Sequence, residues 1–351
     1  MDILIRKFGQ VDKHPVDLIT LKNAQNFTMS ITNYGCIVTS ITMPDRTGHI
    51  DDIVLGYDTL EQYLQGHPFF GAIAGRFANR IADGVFHLNQ QKYQLEKNEL
   101  ATQQHLHGGK KGFDKFIWGY DIEQTETMIM IHFHRVSCDG EAGYPGNLMM
   151  THSIGLDENN QVHFYFNAIT DKPTIINLTN HSYYNLLGHN KGTIEGHILK
   201  VFADFYTPTN DNLIPTGEIL KLSDTPLDFT QATLLSNNMN KLPRHEIDHN
   251  FILRKEYFDD TYHLAAELYE PISGRFMSVI TTQPAIQIYN GSKLSNKNWI
   301  GRDSYKYESF SGICFETQHF PNSPNYAHFP TTQLNPGERY SHKTIHQLSI
   351  H

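Results

Sequence analysis

The sequence predicts an all-β protein built as one large antiparallel β-sandwich. Apolar residues recur mostly at every second position, the period of a strand with one buried face. Helical periodicity is scarce, and strands do not alternate with helices of about 10–15 residues, which argues against a parallel α/β sheet. The 18 Tyr and 21 Phe also suit pleated surfaces.

In chain order, residues 27–43 form the first β-rich run, and residues 59–65 a short helix. Residues 85–88 and 93–95 flank a turn at 89–92 and read as a hairpin. Residues 128–136 are a further strand. In residues 161–168, Val162, Phe164, Phe166 and Ala168 share one face, and His163, Tyr165 and Asn167 the other. A second short helix is expected at 231–239. Residues 263–270 turn at 271–274 into 275–282, a second hairpin. Turn signals recur at Asp45 to Gly48, Asp139-Gly140 and Asn335 to Gly337. With no repeat, linker or low-complexity tract, residues 1–351 read as a single domain.

Composition narrows the function. Twenty-eight basic against 37 acidic residues give a formal charge of −9, and no Lys/Arg-rich run is present, so nucleic acid and anionic membrane are poor partners. Three cysteines (Cys36, Cys138, Cys314) cannot make a disulfide framework. No stretch approaches the ~18 apolar residues of a membrane span, and residues 1–10 lack a signal-peptide core. A cytoplasmic location is therefore expected, and the Asn-x-Ser/Thr triplets at Asn26, Asn177 and Asn290 are chance matches. Neither a Gly-x-Gly-x-x-Gly nor a phosphate-binding loop appears, so no nucleotide cofactor is expected. The Gly-x-Ser-x-Gly elbow of serine hydrolases is missing too.

Histidine is abundant, at 21 copies. His105-Leu-His107 and His132-Phe-His134 match no zinc spacing. His132 and His134 fit plain solvent-facing alternation, and His14, His49, His245, His342, His346 and His351 read as surface residues. Three segments stand apart. His107 precedes Gly108-Gly109, where backbone can approach a ligand closely. Asn177 to Asn185 crowds polar and phenolic side chains after a β run. Glu316 puts a carboxylate directly after the apolar run Gly312 to Phe315. Such polar clusters are costly to bury without partners. On spacing alone, a satisfied core histidine and a rim glutamate remain alternatives for His181 and Glu316.

Ordered blocks add a resemblance: Gly75-Arg-Phe-Ala-Asn79-Arg80-Ile81-Ala-Asp-Gly84; His107-Gly-Gly with Gly112-Phe-Asp114 and Trp118; Asp139-Gly-Glu-Ala-Gly143-Tyr-Pro-Gly146; Asn177-Leu-Thr-Asn-His181-Ser-Tyr183; Asp248-His-Asn-Phe251; Thr281-Thr-Gln-Pro284 through Gln287; and Glu316-Thr-Gln318. Together they resemble the aldose 1-epimerase (galactose mutarotase) family over roughly residues 5–345. Two departures are mild: Cys138 stands where proline is usual, and His319-Phe-Pro-Asn-Ser replaces the usual Trp-Pro-Asp.

The resemblance implies a supersandwich with a sugar-binding cleft on one concave sheet. It implies an isomerase that interconverts the α and β anomers of free aldoses such as galactose or glucose by opening and reclosing the ring. Glu316 would be the general base for the C1 hydroxyl, His181 the acid for the ring oxygen, and His107 a second histidine beside them. On that assignment kcat/KM falls in acid as Glu316 gains a proton, and in alkali as His181 loses one. Asn79, Arg80, Ser182, Tyr183, Asp248 and Gln287 would bind sugar, with an Arg80–Asp83 ion pair and a turn-capping Asp248 as the structural alternatives. Tyr183 and Trp118 offer stacking faces, although Trp118 suits the core equally. Ring opening moves protons only, so neither metal nor cofactor is expected. The expected partner is a small aldose, the enzyme being a monomer or homodimer. Rivals are a glycosidase pairing Glu316 with Asp248, an epimerase for maltose or a hexose 6-phosphate using Arg76 and Arg80, and a non-catalytic carbohydrate-binding protein.

Overall fold

A computed structural model describes residues 1–254 and 262–351. Its largest sheet has nine strands, in the spatial order Gly119–Gln124, Met128–Ser137, Leu148–Asp157, Gln161–Thr170, Tyr340–Ile350, Arg275–Thr281, His263–Tyr269, Ile198–Val201 and Thr233–Leu234. A six-stranded sheet runs Tyr183–Tyr184, Ile313–Gln318, Ala285–Tyr289, Asp248–Leu253, Ala203–Thr207 and Leu220–Lys221, and residues 2–52 form a five-stranded sheet. The ladders of these sheets are antiparallel.

The alternation in residues 161–168 has the expected consequence. Val162, Phe164, Phe166 and Ala168 are at most 3% exposed and join a core shared by all three sheets. Each large apolar side chain buried there contributes about 1.5–3 kcal/mol of transfer free energy. On the opposite face Tyr165 and Asn167 are half-buried, but His163 is buried against Asp157. The run at 27–43 splits into Thr28–Thr32 and Ile37–Pro44, because Gly35 and Cys36 take positive φ values between them. The first predicted hairpin turns more tightly than expected: Val85–Leu88 pairs with Gln91–Gln94 around Asn89-Gln90, both at positive φ. The second pairs His263–Tyr269 with Arg275–Thr281.

Both expected helices are present and short. Leu60–Gln65 starts from a capping box between Thr59 and Gln62. Leu235–Met239 follows a strand at Thr233–Leu234 that the helical reading had absorbed. No helix among the described residues is long and apolar enough to cross a membrane. Two placements correct the sequence reading. His346, expected at the surface, is 2% exposed and bonds the Tyr184 hydroxyl at 2.6 Å, because its strand lies in the middle of the nine-stranded sheet. Trp118 offers no stacking face: it is 1% exposed in the shared core, its indole N–H donating to Phe113 O.

Candidate active site

The six-stranded sheet builds the site by register. In Ile313–Gln318, Ile313 and Phe315 enter the shared core. Cys314 and Glu316, one pleat apart, point together to the other face. Gln287 of Ala285–Tyr289 lies opposite Glu316 and Asn250 opposite Gln287, so one row of polar side chains crosses the sheet. Asp248, two residues before Asn250, shares that face.

His181 comes to this row from Thr179–Asn180. Its backbone N–H donates to Ala72 O and its carbonyl accepts from Gly71 N–H. The ring then spans two residues of one strand: Nε2 lies 3.5 Å from Glu316 Oε1, and Nδ1 lies 3.5 Å from Cys314 Sγ. His181 is 4% exposed and Glu316 2%.

His107 is held differently. Its N–H donates to Asn79 O, and Asn79 N–H donates to its Nδ1, each at 3.1 Å. Its ring centroid is 5.3 Å from that of His181. The glycine beside it is obligatory, since a Cβ on Gly108 would lie 1.8 Å from Gly75 O. The close approach at Gly108 is made by the backbone of Gly75. Phe69, which the sequence did not single out, is half-buried with centroids 4.6 Å from His107 and 5.8 Å from His181.

Arg80 forms a two-pronged pair with Glu99, at 2.8 and 2.7 Å, and not with Asp83, which is exposed beside Lys97. Glu99 lies in an irregular loop with no periodicity to announce it. Asn79 Oδ1 accepts from Arg80 N–H. Asp248 Oδ1 accepts from Gln287 Nε2 at 2.7 Å, and Lys293 Nζ approaches Oδ2 at 3.5 Å; these partners replace the turn-capping alternative. Tyr183 is 2% exposed, donates its hydroxyl to Pro68 O and sets its ring against His181. Ser182 is not gathered with the others, because its hydroxyl is tied to Asn180 Oδ1. Arg76 is no cleft charge either. Its guanidinium is buried against the carbonyls of Ser137, Pro145 and Gly146.

Electrostatics separate the carboxylates. Burial opposes ionisation of Asp248, but Arg80, Lys293 and the Gln287 hydrogen bond outweigh it and hold its pKa below the usual range. Glu316 moves the other way: burial, then the negative charge of Asp248, push it well above. Burial lowers His181 to about 4. Burial and the neighbouring His181 and Arg80 hold His107 far below its ordinary value. Burial therefore favours the uncharged form of both groups, which leaves the proton of the pair on Glu316. That reverses the order in which the two groups were expected to titrate. Glu316 Oε2 and Gln287 Oε1 are buried with no protein partner, an arrangement that requires a ligand or water to satisfy it.

Donor atoms of His107, His181 and Glu316 lie within 4.8 Å of one another, a metal-like grouping. The chemistry of the set fits a metal poorly. With Asn79 N–H donating to Nδ1, neutral His107 carries its proton on Nε2, the atom that would have to bind the ion.

Residues 17–347 match the family model described as aldose 1-epimerase. The chain is 39% identical over 322 residues to the galactose mutarotase of Sus scrofa, covering 92% of this chain and 91% of the relative. It is 31% identical to the aldose 1-epimerase of Escherichia coli over 96% of each chain. The crystal structure of an aldose epimerase homologue from C. elegans superposes with a TM-score of 0.85 at 25% identity, covering 95% of this chain and 98% of that one. The fold, the ordered motifs and these likenesses agree, and the chain belongs to the aldose 1-epimerase family.

Proposed function

We propose that this mutarotase interconverts the anomers of free aldoses, galactose and glucose among them, by passing protons between the hemiacetal and the Glu316–His181 pair. The observation that carries the assignment of roles is the 3.5 Å approach of His181 Nε2 to Glu316 Oε1. A hemiacetal bears its hydroxyl and ring oxygens on one carbon, so an acid and a base this close can serve both. In ring opening, Glu316 takes the C1 hydroxyl proton while His181 gives one to the ring oxygen; the C1–ring-oxygen bond breaks and C1 becomes a carbonyl. Rotation about C1–C2 exposes the other face. In closure His181 recovers its proton and Glu316 returns the other, leaving the protein unchanged. The neutral pair is the state ready for closure, and moving its proton from Glu316 to His181 prepares opening.

His107 serves as a fixed Nε2–H donor towards the reacting oxygens. Asp248 and Gln287 hold sugar hydroxyls, Arg80 helps keep Asp248 ionised beside them, and Tyr183 and Asn79 support the two histidines. Because protons alone move, no redox cofactor or metal takes part, and the enzyme works in the cytoplasm as a monomer or homodimer. A glycosidase reading is disfavoured by the match of residues 17–347 to the aldose 1-epimerase family model. A phosphosugar reading loses Arg76 to the backbone cage. The test is polarimetry on freshly dissolved α-galactose, α-glucose and maltose beside a nitrophenyl glycoside. Accelerated mutarotation without phenol release is expected; phenol release would overturn the reading.

A further inference from the structure

We propose that Cys314 is a positioning residue that fixes the tautomer of His181, accepting its Nδ1–H so that Nε2 is the atom exchanging protons with substrate. This deepens the acid–base reading above and rests on it. Its basis is the pleat. Cys314 and Glu316 are two residues apart on one strand, and the same imidazole lies between them, with Sγ at Nδ1 and Oε1 at Nε2. Cys314 is fully buried and its pairing partner Tyr183 is 2% exposed, which leaves little surface for water beside the sulfur.

The catalytic cycle then sets which way the hydrogen bond runs. His181 gives and regains a proton at Nε2, so its neutral form has an unprotonated Nε2 and must carry its proton on Nδ1. The ring also hydrogen-bonds the backbone carbonyl of His181 itself, and the side-chain acceptor that the described residues place at Nδ1 is the Cys314 sulfur. It is also weak and uncharged. A carboxylate in its place would stabilise imidazolium and make His181 a poorer acid, whereas a thiol keeps the tautomer and leaves the proton labile. Burial first, and the negative charge of Asp248, keep the thiol from ionising. His107 is the contrast: its Nδ1 accepts from Asn79 N–H. The two rings therefore face the cleft in opposite tautomers, one a permanent donor and the other an exchanger.

The experiment is 15N NMR of the histidine side chains of the sugar-free protein near pH 7, with His181 assigned by the signals lost in His181→Asn. A protonated Nδ1 and a bare Nε2 are expected for His181, and the reverse for His107. Cys314→Ala should mix the His181 tautomers and lower kcat about tenfold with KM within about twofold. Cys314→Ser, which restores a neutral acceptor, should recover most of both signals. A bare Nδ1 on wild-type His181 overturns the proposal without any variant, as does a Cys314→Ala protein with unchanged tautomer and kcat. A fully active His181→Asn enzyme would instead overturn the acid–base reading, while the tautomer measurement still stands.

Discussion

His105 and His107 are two residues apart, both buried, and burial depresses the pKa of both. They differ in what their nitrogens meet. His105 spends Nδ1 on Glu96 O at 2.7 Å and Nε2 on the Tyr144 hydroxyl at 2.6 Å. His107 has Nδ1 clamped by Asn79, and a ring nitrogen of it lies within 4.8 Å of donor atoms of His181 and Glu316. Burial and a shifted pKa are thus common to a brace and to a site residue, and what marks the site is polar capacity left unspent. Isolated orphans do not suffice, since His152 Nε2 and His197 Nδ1 are unpaired inside the core. At the site, orphans on Glu316 and Gln287 face each other across one strand pair.

The sharpest way to break this comparison is to remove the unspent groups. Glu316→Gln and His181→Asn should each lower kcat by ~10²–10⁴ while sugar still binds, and the double variant should be little worse than either, because the two act on one proton transfer. Steady-state polarimetry with circular dichroism as a folding control checks this. A folded His181→Asn enzyme with wild-type kcat would promote His107 to the acid.

Exchanging the two neighbours gives the next largest effect. His107→Ala should lower kcat by ~10–100-fold with a small change in Tm. His105→Ala should do the opposite, leaving the Glu96 carbonyl and Tyr144 hydroxyl unpaired at a cost of about 1–3 kcal/mol while the folded fraction keeps its kcat. Thermal melts paired with kinetics separate the outcomes; matching losses in both variants would erase the distinction.

Asp248→Asn is the mildest. It should raise KM by about tenfold and change kcat less, since its hydrogen bonds to hydroxyls persist through the reaction. It also tests the charge order of the pair. Wild-type kcat/KM should fall in acid as a second proton enters at His181, near 4, and in alkali as the pair loses the proton that Glu316 holds. Removing the negative charge of Asp248 lowers the Glu316 pKa, so the alkaline limb should move to lower pH. An alkaline limb that stays put would show that Asp248 does not set that proton.

Strand periodicity at 161–168 and both hairpins were legible because side-chain alternation and turn chemistry act locally. The motif blocks led to Glu316, Asp248 and Gln287, which the sheet register gathers, and to His181 and His107, which backbone bonds to Ala72, Gly71 and Asn79 bring beside them. What was not legible depends on distant pairing. His346 looked exposed because nothing local shows that its strand sits mid-sheet. Arg80 meets Glu99 and not the nearer Asp83 because a loop brings it there, and Ser182 turns away because Asn180 captures its hydroxyl. Cys314 left one usable clue, its place two residues before Glu316.

That spacing has an engineering consequence. The thiol and the carboxylate that grip His181 stand on consecutive outward positions of a single strand, so no hinge, loop or domain motion can part them. His181 hangs from a different segment, through backbone bonds to Ala72 and Gly71, so acid and base part when that attachment gives way. A variant that keeps the pair together under stress should therefore be sought by reinforcing the hold of residues 179–181 on residues 71–74 rather than the strand that already keeps thiol and carboxylate together.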